Sequence, residues 1–382
     1  MNFDLQEQHI AVQKLVRDFA QKEIAPVIAR YDEAEEFPTD IIRKLGTLGI
    51  MGLPFPEKYG GGGADTISYV IALEELARVD SSVGITIEAD VTLGGMPIFL
   101  YGTEEQKRRL LTPLAQGKTL GAFGLTEPSG GSDNRGMQST ASVQNENWVI
   151  NGTKCFITNA GTEMSAFVTV AAVTGARPQG GKEFSTILVP TGTPGYSVSK
   201  PYKKMGWRAS DTRELRFDDC RVPEANLIGK RGAGLRQFMV VLDRGRVAVA
   251  ALCTGIAQGC LDLSHAYAKQ RVAFGQSINK FQAIQFKLSD MAVNVELARL
   301  ITYKAAFLQD KGAPFTQEAA MAKLFSSEIA VKAADEGLQI HGGYGFMRET
   351  PINRFYRDAK VMTIGEGTSE VLRMVIARNM GV

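Results

Sequence analysis

The spacing of apolar residues changes twice along this chain. Near the start, Leu5, Ile10, Val12, Leu15, Val16 and Phe19 recur at intervals close to three and four, which predicts an amphipathic helix. "DTISYVIALEELARVD" at 65–80 predicts a second helix. "TEEQKRRLLTPLAQGK" at 103–118 predicts a third, with a threonine and early acids at its entrance. "PFPEKYGGGGAD" at 54–65 reads as a loop, because its prolines and four glycines cannot hold a helix. Near 118 the texture changes to short β-branched runs parted by Gly, Pro and Asn. "WVINGTKCFITNA", "AFVTVAAVTG", "FSTILVPT", "YSVSK" and "TRELRFDDCRVP" each predict a strand. The Asn151-Gly152 pair between two apolar runs predicts a hairpin turn. From 232 the helical period returns. Ile284, Leu288, Met291, Val295, Ala298, Ile301, Ala305 and Leu308 form one stripe about seven turns long, as in a helix bundle. The predicted order is therefore helical (1–117), a small β domain (118–226), then long helices (227–382).

The chain has 382 residues, enough for two to three domains. With 43 basic and 41 acidic side chains, charge gives no reason to expect nucleic acid or an anionic membrane as partner. Cys155, Cys220, Cys253 and Cys260 show no metal or redox spacing and read as reduced thiols of a cytoplasmic protein. The charged start does not resemble a signal peptide, and no run of about 18 uninterrupted apolar residues predicts membrane insertion. There is no GxGxxG after a strand, no HExxH, no GxSxG and no P-loop.

Several polar stretches carry possible chemistry, each with a plainer alternative. "GAFGLTEPSGGSDNRGMQSTA" at 121–141, with Thr126, Ser132 and Thr140, is either a polar surface loop or a loop whose N–H and hydroxyl groups face an anionic or planar ligand. Phe156 and Thr158 sit in a strand, where Phe156 alone suggests core. Arg271 and Phe274 precede a turn, and Gln282 a helix; Arg271 is a phosphate ligand or a surface ion pair. The glycines of "QIHGGYGF" stop a helix or admit a ligand close to the backbone. Asp243 and Arg246 stand at i, i+3, an ion pair in the plain reading. "TIGEGTSEVLR" puts Glu366 between two glycines before a helix that Thr368 or Ser369 would cap.

In order and spacing, "LTEPSGGSD", "FITNAG", "KMGWRASDTRELRFDDCRVP", "RVAFGQSINKFQAIQFKLSDMA", "QIHGGYGF" and "RDAKVMTIGEGTSEVLR" resemble the acyl-CoA dehydrogenases over essentially the whole chain. The resemblance implies a mostly α fold with an N-terminal helical domain, a barrel-like middle β domain and a C-terminal four-helix bundle. It implies FAD as cofactor, an acyl-CoA substrate, a homotetramer and electron-transfer flavoprotein as electron acceptor. Phe123, Leu125, Thr126, Phe156 and Thr158 would meet the flavin ring. Arg271, Phe274, Gln282, Gln339, Ile340, Gly342 and Gly343 of a neighbouring subunit would hold the rest of the cofactor, with Thr368 and Glu370 also touching it. Ser132, Asp243, Arg246 and Gly367 would contact the CoA ester, and Ser132 the cofactor as well. Glu366 matches the base that removes the α-proton. Some relatives carry that base on the "DRGR" helix, where this chain has Gly245. Glutaryl-type relatives have an arginine at the position of Gly84, and many straight-chain members a tyrosine at Gly365. The open side at Gly365 suggests a short, branched or cyclic acyl group. Glu88 and Asp90 are ordinary helix acids or a second carboxylate acting on a cyclic substrate. An oxygen-using oxidase and a non-catalytic FAD scaffold are the rival functions.

Overall fold

Short polar side chains open three of the seven helices described in the first segment. In the computed structural model, which describes residues 4–382, the seven are α1 (Glu7–Phe19), α2 (Ile28–Ala34), α3 (Thr39–Thr47), α4 (Thr66–Ala77), α5 (Ser81–Glu88), α6 (Met96–Tyr101) and α7 (Glu104–Ala115). Asp65 caps α4 by accepting from the Ser68 N–H, Asp80 caps α5 from Val83, and Thr103 forms a reciprocal box with Gln106 on α7. The 54–65 stretch is largely irregular, with one short 3₁₀ turn at Glu57–Tyr59. The apolar face of α1 is narrower than its spacing suggests: Val16 is buried, but Ile10 and Leu15 are exposed.

The strands are β1 (Leu120–Gly124), β2 (Thr140–Gln144), β3 (Asn147–Thr158), β4 (Ser165–Ala176), β5 (Lys182–Pro190), β6 (Tyr196–Val198), β7 (Thr212–Pro223) and β8 (Leu227–Ile228). They form one sheet in the order β6-β7-β3-β2-β4-β5-β8, with β1 parallel to β4. The path stays open between β6 and β8, so the barrel-like expectation reduces to an open sheet. The expected turn at Asn151-Gly152 does not form. β3 runs straight through it, with a bulge where Gly152 lies against Ser139. The β2–β3 turn falls instead at Asn145 and Glu146, both at positive φ (50° and 60°), the signature of a two-residue hairpin.

Long helices complete the chain: α8 (Gly234–Gln270), α9 (Gln282–Asp310) and α10 (Thr316–His341). A small hairpin of β9 (Val272–Ala273) and β10 (Gln276–Ser277) joins α8 to α9. Then come α11 (Pro351–Ala359) and α12 (Ser369–Met380), the latter packed on α10 as a fourth bundle member. On α9 the predicted stripe buries Met291, Val295, Ala298 and Ala305. Ile284, Leu288 and Ile301 are partly covered at the edge of the core.

Two helical stretches, Ser81–Tyr101 and Gly234–Gln270, are long and apolar enough to cross a membrane by length and composition. Most of each lies inside the protein, 83% and 78% of their most apolar windows, so core packing accounts for their composition. The first stretch joins α5 to α6 through a π-helical segment, Ala89–Gly95. That segment docks on β1: Gly94 leaves room for the Gly121 backbone, and the Asp90 Oδ1 accepts the Gly121 N–H at 2.8 Å. Phe123 of β1 packs on Phe238 of α8, ring centroids 4.3 Å apart.

Burial holds the Asp90 carboxyl well above the usual carboxylate range, while the Gly121 N–H pulls it down. Asp90→Asn keeps an acceptor for the Gly121 N–H and should be nearly neutral for stability. Asp90→Leu strands a buried N–H and should cost about 1–3 kcal/mol, read as a lower melting temperature of the holoprotein. Equal losses in the two variants would contradict this account.

Candidate functional site

The stretch before α12 turns sharply. After a 3₁₀ turn at Lys360–Thr363, Glu366 adopts φ 51° and Gly367 φ 104°, and Thr368 then caps α12 by accepting the Val371 N–H. Glu366 is one of nine non-glycine residues at positive φ among those described, as are Phe156 (60°) and Phe274 (51°). Such conformations cost free energy and cluster at functional sites. Gly365 is not at positive φ, and a Cβ there would meet only the Val361 carbonyl, at 3.7 Å. Open space therefore lies beside Glu366.

Both Glu366 carboxyl oxygens are buried. Gly245 of α8 faces them so closely that any Cβ at 245 would overlap Oε2. Burial is the main cause raising the Glu366 carboxyl, to about 7; Glu88, Lys323 and Arg246 pull the other way. Glu88, fully buried at the end of α5, is raised well above its usual range by burial and then by the charge of Glu366. Neither carboxyl completes a hydrogen bond of ordinary geometry. Glu366 raises Glu88 chiefly through its charge, and Glu88, as a hydrogen-bonding neighbour short of ordinary geometry, lowers Glu366. Asp90, committed to Gly121, is not among the groups that shift Glu366.

Arg246 and Asp243 form the expected ion pair, 2.6 Å, and Thr316 of α10 donates to the second Asp243 oxygen at 2.7 Å. Gly367 lies within 3.9 Å of the Arg246 guanidinium, measured from the position of a Cβ. Ser132 is exposed at the tip of the 126–136 loop. That loop is built rather than loose. Lys154, fully buried on β3, donates to the Leu125 carbonyl (3.1 Å) and to Glu127 (2.8 Å). Glu127 also accepts the N–H groups of Gln138 and Ser139. Burial opposes the Glu127 charge, yet Lys154 and the Ser139 bond outweigh it and take the carboxyl down to about 2. Burial takes Lys154 down to about 8.

Phe156 is 67% exposed and Thr158 and Thr126 are half-buried, so these three present a surface. Phe123 and Leu125 are buried instead, in the contact between sheet and helices. At the opposite end of α8, Arg271, Ile340, Gly342 and Gly343 line a cavity of about 430 Å³ with Tyr267, His341 and Tyr344. A Cβ on either glycine would meet nothing within 4 Å, so the backbone is open to a ligand. His341 stacks on Tyr267 with centroids 4.3 Å apart. Phe274, at the tip of the β9–β10 hairpin, is 96% exposed; Gln282 starts α9 and Gln339 is exposed. Glu370 lies exposed in the first turn of α12. Sequence reasoning singled out neither Lys323, Lys154, Glu127 nor Tyr267. A lone lysine in an alanine-rich helix or a β-strand gives no periodic signal, although a charge inside an apolar run is a usable hint.

An aromatic at positive φ, a braced loop, open glycines and a basic cavity suit a flavin dinucleotide. A buried carboxylate beside open space suits removal of a proton from carbon. Comparisons agree in class. Residues 6–118, 122–220 and 232–381 match the N-terminal, middle and C-terminal domains of the acyl-CoA dehydrogenases. The chain is 52% identical to a probable acyl-CoA dehydrogenase, YngJ, of Bacillus subtilis, over 100% of both chains. It superposes on butyryl-CoA dehydrogenase from Megasphaera elsdenii with TM-score 0.96 at 42% identity, covering 100% of each. A chain in a structure titled for the electron-transferring flavoprotein of Acidaminococcus fermentans gives TM-score 0.96 at 43% identity, covering 100% and 99%. The protein belongs to the acyl-CoA dehydrogenase family, FAD-dependent oxidoreductases acting on CH–CH groups.

If Glu366 and Gly245 are packed as described, Gly245→Ala should displace the carboxylate. Turnover should fall about 100-fold with FAD content unchanged, the scale expected of an ångström-sized misplacement. Wild-type turnover would refute the packing.

Proposed function

We propose that this protein oxidises a short acyl-CoA to its 2-enoyl-CoA, with Glu366 as the base that takes the α-proton. The observation that carries the reading is a buried carboxylate at about 7, in strained backbone, with open space at Gly365. Poised there, it is ionised often enough to act near neutral pH and basic enough to take a weakly acidic C–H proton. The thin backbone at Gly367 lets a thioester approach, and the family resemblance gives its carbonyl the Glu366 N–H as donor. FAD, when bound, accepts the hydride that leaves the β-carbon. Phe156, Thr158 and Thr126 would hold the ring, and the Arg271 cavity would hold the phosphates and adenosine.

Those two sets cannot serve one cofactor within one chain. Phe238, which packs on Phe123 three residues before Thr126, and Arg271 are 33 residues apart on α8, about 50 Å. We infer a site shared between two copies. The exposed apolar residues Phe286, Val293, Leu297, Leu300 and Phe307 on α9 support assembly, which the resemblance makes a tetramer. We assign electron-transfer flavoprotein as acceptor and take 1–117, 118–226 and 227–382 as the folding units.

A short acyl group fits the butyryl-CoA relative, and the space at Gly365 leaves room for a branch. Gly84 offers no guanidinium to a distal carboxylate, and a Cβ there would lie 2.7 Å from Leu252. Glu88 is raised well above its usual range by burial and Asp90 is tied to Gly121, so neither is assigned a second proton abstraction.

Glu366→Gln should abolish turnover while yellow FAD remains bound. In the unmodified enzyme kcat/KM should rise with pH through about 7, because the base must lose its proton; a limb near 4.5 would contradict this. With an artificial acceptor, butyryl-CoA and isobutyryl-CoA should fall within about tenfold of each other and octanoyl-CoA well below. A preference for octanoyl-CoA would overturn the short-chain reading, and hydrogen peroxide release under air would favour an oxidase.

A further inference from the structure

Lys323 is the feature that this reading leaves unexplained. It stands on α10 among Ala319, Ala320 and Ala322, with its side chain fully buried. Among the described residues it forms no ion pair within 4 Å. An isolated buried ammonium is costly, and an apolar side chain of the same length would fill the space without that cost. Its Nζ instead donates to the backbone carbonyl of Gly367, at 2.7 Å.

That carbonyl belongs to the residue after Glu366, within the pair of residues at φ 51° and 104°. A single strong hydrogen bond from a well-buried helix thus grips the loop where its backbone is most strained. The charge also acts on the base. Lys323 lowers the Glu366 carboxyl more than Arg246 does. The other groups at this spot are Glu88 of α5, raised well above its usual range by burial; Cys253 of α8, a thiol pushed up to about 12; and Tyr69 of α4, a phenol bonded to Thr92. None of these supplies positive charge, and Arg246 is already paired with Asp243.

Resting on the assignment of Glu366 as base, we propose that Lys323 is a positioning residue for proton abstraction: it pins the Gly367 carbonyl, holds the base loop in its strained conformation and brings a positive charge to the neighbourhood of the carboxylate. Lys323 touches neither substrate nor flavin in this account. It acts through Glu366.

The test is the pH profile of kcat/KM for butyryl-CoA in the FAD-loaded enzyme. Lys323→Met keeps the length of the stem and removes the charge. The expected result is an acid limb moved upward by about one unit, because a base without its counter-charge holds its proton to higher pH. A fall in kcat of about 100-fold at pH 7 should accompany it, with FAD content unchanged. Lys323→Arg should return the limb towards that of the unmodified enzyme. If Lys323→Met does not accumulate as folded holoenzyme, Lys323→Gln, which keeps a donor without the charge, should show the same upward shift. An unmoved limb in the charge-free variant, whatever happens to the rate, overturns the proposal, because lost packing alone gives that result. An unmodified holoenzyme inactive on every acyl-CoA, or a Glu366→Gln variant that turns over normally, would overturn the dehydrogenase reading itself and is thereby told apart.

Discussion

A carboxylate kept away from water must be held by fixed charges and dipoles, or it takes up a proton. That constraint governs the region around Glu366. Burial drives its carboxyl up, and Glu88, Lys323 and Arg246 bring it back to about 7. Each of these three comes from a different part of the fold: the end of α5, the first third of α10 and the first third of α8. The Glu366 carboxyl is therefore set near 7 only when the N-terminal helices and the bundle are packed together. A local motif could not achieve this, which is a physical reason for a three-segment chain to build its site at a junction.

The same device recurs where the flavin loop is shaped. Lys154 and Glu127 form a buried pair, and buried pairs are poor contributors to net stability. Here both partners also satisfy backbone groups: Lys154 the Leu125 carbonyl, Glu127 the N–H groups of Gln138 and Ser139. The pair fixes the path of the chain on either side of the exposed 128–136 tip. Asp90 does this with a buried carboxyl at Gly121. Buried polar groups in this protein fix backbone rather than add cohesion.

Much of this was legible in sequence, and the gaps have physical causes. Helix entrances at Thr103 and Thr368 could be read because capping is local. The five β-branched runs became strands because alternation and branching survive tertiary packing. Asn151-Gly152 misled because an Asn-Gly pair is equally suited to a bulge; what chose between them was Ser139, far off along the chain. β1 was missed because "LGAFG" has two glycines and no branching; it is a strand because β4 pairs with it and α8 packs beneath it. Phe123 and Leu125, placed at the flavin by resemblance, have side chains largely covered by the contact between sheet and helices. Lys323 escaped because its partner is a backbone carbonyl 44 residues away.

The relation between Gly245 and Glu366 explains how two branches of one family can carry the base on different elements. A side chain grown from 245 would enter the volume that the Glu366 carboxylate fills. The two positions are thus alternative routes to one point in space, from the wall of α8 or from the loop before α12. A Cβ at 245 would push the tip of the Glu366 side chain aside, so glycine on the helix suits an acid on the loop. Glycine in mid-helix is unfavourable by roughly 1 kcal/mol relative to alanine. The long, well-buried α8 tolerates that cost because packing, and not propensity, holds it together. Gly245 thus supplies the room that the Glu366 carboxylate occupies.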